Sequence, residues 1–277
     1  MARHAFRLIN VFAESALAGN PLCVFEDART LDDTTMQALA LQFNLSETTF
    51  LLPSQVATAR VRIFTPTFEM PFAGHPTLGS AHVVRGLISA GDAITLELRA
   101  GVVPVTANGD VWTLEANAPR HRGPLASRAD LAAMLGLVER DLAGADSPPL
   151  WIDTGVEQLV IPLATFDAVP RADALLAHGH NEQRAMAYVF AREERRVLAR
   201  FFFPQHGSLV EDPGTGSACA NLGGWLLATG AALPQQLSID QGEAVGRPCR
   251  LGLEVTADRR ILVSGRVVEL GRGTVTL

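Results

Sequence analysis

Lysine is absent from this chain of 277 residues, so all 23 basic side chains are arginine. The formal net charge is -6 and no arginine-rich stripe stands out, which argues against a nucleic-acid or polyanion partner. The densest run, 192–200, is interrupted by Glu193 and Glu194 and reads as a solvated surface segment. Cysteine is scarce. Cys23, Cys219 and Cys249 are odd in number and widely spaced, which excludes a disulfide framework and fits a reduced, cytoplasmic protein. Neither CxxC nor HExxH occurs, and His178-x-His180 lacks a thiol or a second ligand pair, so no metal site is expected. No run approaches the ~18 apolar residues of a membrane span. The opening Met-Ala-Arg-His-Ala-Phe-Arg has no apolar stretch of signal-peptide length, and Glu14 comes early. The Gly214-Thr215-Gly216-Ser217 run meets neither the P-loop nor the GxGxxG spacing.

What is present is a globular composition, 48% hydrophobic and 19% charged, in a chain long enough for two ordinary domains. One pattern occurs twice. Arg62-Ile63-Phe64-Thr65-Pro66 precedes Glu69-Met70-Pro71-Phe72-Ala73-Gly74, and Arg200-Phe201-Phe202-Phe203-Pro204 precedes Glu211-Asp212-Pro213-Gly214-Thr215-Gly216. Each copy runs into an Ala-rich apolar stretch. The shared skeleton is a strand, a Gly/Pro turn and a helix start, which implies two similar halves. Met70 aligns with Asp212, and His75 with Ser217.

Around the repeat, strands are expected on both sides of Gly19-Asn20-Pro21. The apolar spacing of Met36, Leu39, Ala40 and Phe43 predicts a helix over 33–43, capped by Thr30 or Asp32 and ended by Asn44. Strands follow near 46–52 and 59–65, a helix over 76–87, and strands at 94–98, 102–105 and 111–114. Residues 118–124 have linker composition and mark the expected boundary. The halves are then 1–117, with a strand from 268–277 possibly added, and 118–267. In the second half, Ser127 and Asp130 predict a capped helix. Strands are expected at 159–163, 185–190 and 197–203, a helix over 217–228, and short strands to the end. The class is α+β, mainly antiparallel.

A glycine at a helix start lets backbone N–H groups approach a ligand, and the helix N-terminus favours an anion. Two such turns in matched halves are compatible with one ligand cleft between them, and each alone with a mere tight turn. Glu47 lies between Ser46 and Thr48 beside the apolar run Phe50-Leu51-Leu52. Desolvation there favours a neutral carboxyl suited to proton transfer, although a surface glutamate is the ordinary alternative. His75 follows Gly74, where the helix dipole disfavours its cation; it is either a proton-transfer group or a polar cap. Asp212 reads as a functional carboxylate or as turn chemistry, and Ser217 as a site hydroxyl or a cap.

These segments resemble a known family. Gly19-Asn20-Pro21, Asn44-Leu45-Ser46-Glu47-Thr48-Thr49-Phe50, Phe64-Thr65-Pro66 with Phe72-Ala73-Gly74-His75-Pro76-Thr77-Leu78-Gly79, and Glu211-Asp212-Pro213-Gly214-Thr215-Gly216-Ser217-Ala218 are similar, in order and spacing, to the phenazine-biosynthesis PhzF-like isomerases. Residues 242–248, ending Gly246-Arg247-Pro248, match a further motif; Gly214 departs from the family's frequent alanine. The resemblance implies a diaminopimelate-epimerase-like fold: two pseudo-symmetric halves, each a barrel-like, mostly antiparallel sheet around a central helix, with the active site in the cleft between them. Epimerases of the wider superfamily carry paired cysteines where this chain has Ala73 and Thr215, so a two-thiol racemase is not expected. Carried over by motif, Glu47 is the proton carrier and His75, Asp212 and Ser217 its catalytic partners. Asn20, Ser46, Ala73, Gly74, Thr215 and Gly216 would bind substrate. The expected protein is a cofactor- and metal-independent isomerase, of the dihydro-hydroxyanthranilate type, moving a proton on a small amino- or carboxylate-bearing metabolite. It would act as a cytoplasmic homodimer without nucleic-acid or membrane partners. The alternatives are an amino-acid epimerase with non-cysteine bases and a non-catalytic small-molecule binder.

Overall fold

The two glycine-led helices of the repeat are the centres of two separate cores. A computed structural model describes residues 1–89, 91–173, 186–205 and 208–277. It divides into two units, Met1–Glu115 with Ser264–Leu277, and Ala116–Val263. The first half of the chain runs β1 (Arg3–Val11), β2 (Asn20–Phe25), α1 (Asp33–Phe43), β3 (Glu47–Leu52), β4 (Ala59–Phe64), β5 (Glu69–Met70), α2 (Gly74–Ile88), β6 (Ala93–Leu98), β7 (Gly101–Asn108) and β8 (Val111–Glu115). Then come β9 (Arg120–Arg122), α3 (Arg128–Met134), β10 (Leu150–Asp153), β11 (Glu157–Pro162), α4 (Ala168–Arg171), β12 (Ala187–Glu193), β13 (Arg196–Gln205), β14 (Ser208–Asp212), α5 (Gly216–Ala228), β15 (Gln235–Gln241), β16 (Cys249–Val255) and β17 (Ile261–Thr276). Among the described residues no helix is long and apolar enough to cross a membrane.

In the first unit the pairings close a ring. β1 lies between β17 and β2, both antiparallel, and β2 runs parallel to β3. The order continues antiparallel to β4, parallel to β6, antiparallel to β7 and β8, and returns from β8 to β17. The second unit repeats the plan. From β9 through β10, β11, β12, β13, β15 and β16 the sense of pairing is antiparallel, antiparallel, parallel, antiparallel, parallel, antiparallel. β5 and β14 are matching short additions on β4 and β13.

In each unit the sheet packs around one helix. α2 touches β1, β2, β3, β4, β6 and β8, and eleven of the thirteen residues of α5 are buried. A helix buried on nearly every side is a core element, and the ring must close tightly on it. Small residues permit that approach. A Cβ at Gly79 would lie 2.7 Å from both Ile9 Cδ1 and Leu22 Cδ2, and one at Gly224 would lie 2.7 Å from Ile152 Cγ2. Outside the first ring, Met36, Leu39 and Ala40 of α1 pack on Cys23, Phe25, Phe50 and Phe64. α1 spans the predicted residues, is capped by Asp32, which accepts from the Thr35 N–H, and ends on Asn44 at φ 50°. α3 carries the predicted Ser127–Asp130 capping box.

Three local readings change. Residues 120–122 read as linker, yet they form β9 on β10, with Arg122 stacked over the Trp151 ring and paired to Glu157. All three β9 residues are exposed, so no apolar alternation marks the strand. The chain end is one sixteen-residue strand rather than short pieces. Two of its glycines, Gly265 and Gly273, sit under aromatic rings: Gly273 pairs directly with Phe6, whose ring a Cβ would strike at 2.4 Å. The strand expected at 185–190 is β12, which extends to Glu193. His178 and His180 lie outside the described residues.

Candidate active site

The repeat's arginine, phenylalanine and glutamate form the same clamp in both units. In the first, Phe64 pairs with Glu69 across β4 and β5, and Arg62 binds both carboxylate oxygens, Nε–Oε1 at 2.7 Å and Nη2–Oε2 at 2.8 Å. In the second, Phe202 pairs with Glu211, and Arg200 Nη2 lies 2.6 Å from Glu211 Oε2. Each guanidinium also covers the phenylalanine two residues on, at 5.0 and 4.8 Å. The clamp fixes the turn that delivers each central helix. Although the sequence repeat contains all three residues, it carries no sign that they bind one another.

At both helix starts the N-cap residue, Ala73 or Thr215, supplies no side-chain hydrogen bond to the first turn. This contrasts with α1 and α3, and leaves first-turn N–H groups without the usual internal partner. The capping alternative for His75 and Ser217 therefore fails. Both side chains are engaged elsewhere.

In the first unit, β3 and α2 bring Glu47 and His75 together, with His75 Nε2 3.2 Å from Glu47 Oε2. Glu47 sits beside Leu22 in the β2–β3 register, and Asn20 and Pro21 begin β2. Asn20 is fully buried, while Ser46, Ala73 and Gly74 are half-buried next to the pair in sequence. Burial holds the imidazole neutral: desolvation pushes its pKa down to about 3, partly countered by a hydrogen bond to the Pro21 backbone. Proline has no N–H, so the ring donates to the Pro21 carbonyl. Nε2 makes no aligned hydrogen bond, so the donor is Nδ1. A neutral imidazole fixed in this way leaves an unprotonated Nε2 beside the Glu47 carboxylate.

In the second unit, Thr215 Oγ1 donates to Asp212 Oδ2. Gln241 Nε2 donates to the Asp212 carbonyl at 2.9 Å and to Thr215 Oγ1 at 3.1 Å. The turn after Gln241 abuts the same loop: Gly242 has φ +86°, and a Cβ there would lie 2.4 Å from the Pro213 carbonyl oxygen. This gives the 242–248 motif a structural part, buttressing the Asp212 turn. Ser217, in the first turn of α5, accepts from Gln158 Nε2 at 2.9 Å, and Gly216 precedes it. Sequence reasoning missed Gln158 and Gln241, which belong to no repeat.

The units differ where the carboxylate stands. Phe64 pairs with Thr48, and its counterpart Phe202 pairs with Ala187. The preceding residue is Glu47 in one unit and Met186 in the other, so a single half carries the acid at that position. None of the cysteines substitutes for it. All three are buried and unpaired, and burial pushes every thiol up, away from the reactive thiolate.

The fold is that of two barrel-like sheets, each around a central helix, an epimerase-like scaffold. The chain belongs to the PhzC-PhzF family, whose description is phenazine biosynthesis-like protein and which matches residues 9–273. It is 36% identical to trans-2,3-dihydro-3-hydroxyanthranilate isomerase of Pseudomonas chlororaphis, over 99% of this chain and 100% of that protein. An uncharacterised isomerase of Pasteurella multocida is 38% identical over 98% of this chain and 93% of its own length. The crystal structure of a PhzF-family phenazine biosynthesis protein from Bacillus anthracis superposes with a TM-score of 0.88, at 25% identity and full coverage of both chains. The chain is thus a PhzF-type isomerase.

Proposed function

We propose that this isomerase moves a proton on a small carboxylate- and amine-bearing ring of the trans-2,3-dihydro-3-hydroxyanthranilate type, with Glu47 as the proton carrier. The observation supporting this is the contact of the partly buried Glu47 with the buried His75. A carboxylate beside a neutral imidazole can take a C–H proton and return it to a different carbon of the same conjugated system. One proton leaves and one arrives while the electron pair shifts within the ring. The net change is an isomerisation that needs no electron acceptor. Met186 at the position matching Glu47 fits a one-carboxylate scheme. Asp212 and Ser217 are proposed to hold the substrate's amine and carboxylate, with the first-turn N–H groups after Ala73 and Thr215 as further anion donors. Asn20, Ser46, Ala73, Gly74, Thr215 and Gly216 complete the proposed substrate contacts. We further propose that the chain works as a cytoplasmic homodimer, in keeping with its three unpaired thiols.

The test is proton exchange with solvent. In deuterium oxide, wild type should incorporate deuterium into trans-2,3-dihydro-3-hydroxyanthranilate, and Glu47→Gln should bind it without exchange. Undiminished exchange in the variant would remove Glu47 from the role. Binding by the wild type without any exchange would make the protein a binder.

A further inference from the structure

We infer that Gln158, Asn221 and Thr154 form a one-way hydrogen-bond relay that compels Ser217 to act as a donor, so that Ser217 recognises an acceptor oxygen on the substrate. The inference rests on the reading of Ser217 as a substrate-facing group and deepens it. All four residues lie in the second unit.

The relay starts at backbone groups, whose polarity cannot reverse. The Thr154 N–H donates to Asn221 Oδ1 at 3.0 Å, and the Thr154 hydroxyl donates to the same oxygen at 2.7 Å. Asn221 Nδ2 donates to the Val156 carbonyl at 2.9 Å. A backbone N–H needs an acceptor and a carbonyl needs a donor, so together they fix which end of the Asn221 amide is oxygen. A reversed amide would set N–H against N–H and oxygen against oxygen. With that orientation fixed, Asn221 Nδ2 also donates to Gln158 Oε1 at 2.8 Å. The Gln158 amide is then fixed in turn, and its Nε2 faces Ser217 Oγ at 2.9 Å. Ser217 therefore accepts from inside, and its own proton must point elsewhere. Among the described residues nothing takes that proton.

Burial makes the relay costly to disturb. Asn221 is fully buried, Gln158 is 2% exposed and Thr154 is 7% exposed. A reversed or missing member would leave a desolvated polar atom without a partner. Asn221 sits one helical turn after Ser217 on α5, so the relay runs beneath the helix start. A serine rotor free in water donates or accepts equally well, whereas this one is committed. It fits a carboxylate, a carbonyl or an enolate oxygen and discriminates against an ammonium group. Gln158 and Asn221 are accordingly positioning residues: they act through Ser217.

A neutron structure of the free protein in deuterium oxide reads the relay directly. Deuterium on Gln158 Nε2 directed at Ser217, with the Ser217 deuterium directed away, is the expected result. A Gln158 oxygen facing Ser217, or a Ser217 deuterium directed at Gln158, would overturn the inference. Binding of 3-hydroxyanthranilate, a stable aromatic probe, measured by calorimetry then reads the consequence. Gln158→Glu turns the donor into an acceptor and should weaken binding by roughly tenfold or more, as Ser217→Ala should. Gln158→Met, which removes the donor without adding a charge, should weaken it less. The double variant Gln158→Glu/Ser217→Ala should bind no worse than Ser217→Ala. Equal weakening by Gln158→Glu with and without Ser217 would show that Gln158 acts through the fold, and would refute the relay. If wild type fails to bind the probe, the substrate reading fails, and the neutron map still decides the relay on its own.

Discussion

Acidification should destabilise this protein through His75, by an amount that can be worked out from its burial. The folded imidazole has its pKa depressed from 6.5 to about 3, chiefly by desolvation. The unfolded chain takes up the proton near 6.5, whereas the folded chain does so only near 3. The stability associated with the neutral ring is therefore fully present above pH 6.5 and is lost as pH falls towards 3. Within that window one proton separates the two states, which gives a slope of about 1.4 kcal/mol per pH unit. From neutrality to pH ~4.5 the loss is on the order of 2–3 kcal/mol, a large part of an ordinary domain's stability. The control is His75→Asn, whose amide can still donate to the Pro21 carbonyl but does not titrate. Urea unfolding of both proteins across this range should give curves that diverge in slope, with wild type falling more steeply. The variant's absolute stability at neutral pH is immaterial, since the comparison is of slopes. Parallel pH dependences would refute the buried, neutral imidazole, and with it the unprotonated Nε2 beside Glu47.

Two further predictions concern the frame around the site. Gly79→Ala should destabilise by about 1–3 kcal/mol in urea titrations, because its Cβ would strike Ile9 and Leu22 at 2.7 Å. Gly86→Ala, exposed on the same helix, should instead stabilise by up to about 1 kcal/mol, and a gain at both sites would contradict the tight closure of the ring on α2. Arg200→Met should cost about 3–5 kcal/mol, since it strands the buried Glu211 carboxylate. A loss below about 1 kcal/mol would show that the clamp is not a structural element of the Asp212 turn.

Much of this fold is legible in the sequence because the chain states it twice. The Arg–Phe–Glu skeleton and the glycine that follows recur 142 residues apart, from Glu69 to Glu211, and each copy folds as clamp, turn and buried helix. Local chemistry carries the surface helices as well: Asp32 and Asn44 bracket α1, and Ser127 with Asp130 opens α3. What escaped has physical causes. β9 presents exposed side chains only, so its pairing with β10 leaves no hydrophobic signature. β17 reads as broken because glycines normally interrupt strands, yet Gly265 and Gly273 make room for the rings of Phe12 and Phe6. At the site, motifs identify Glu47 and His75 as individual residues, but the protonation logic between them depends on Pro21 and on burial, which are properties of the folded state. Ser217 shows the same division. Its position follows from the repeat, while its polarity is set by Gln158 and Asn221, 59 residues before it and four after. A repeat can place two helix starts alike, but the chemistry that distinguishes them comes from side chains outside the repeated segments. In one unit the turn meets a carboxylate, in the other a chain of amides.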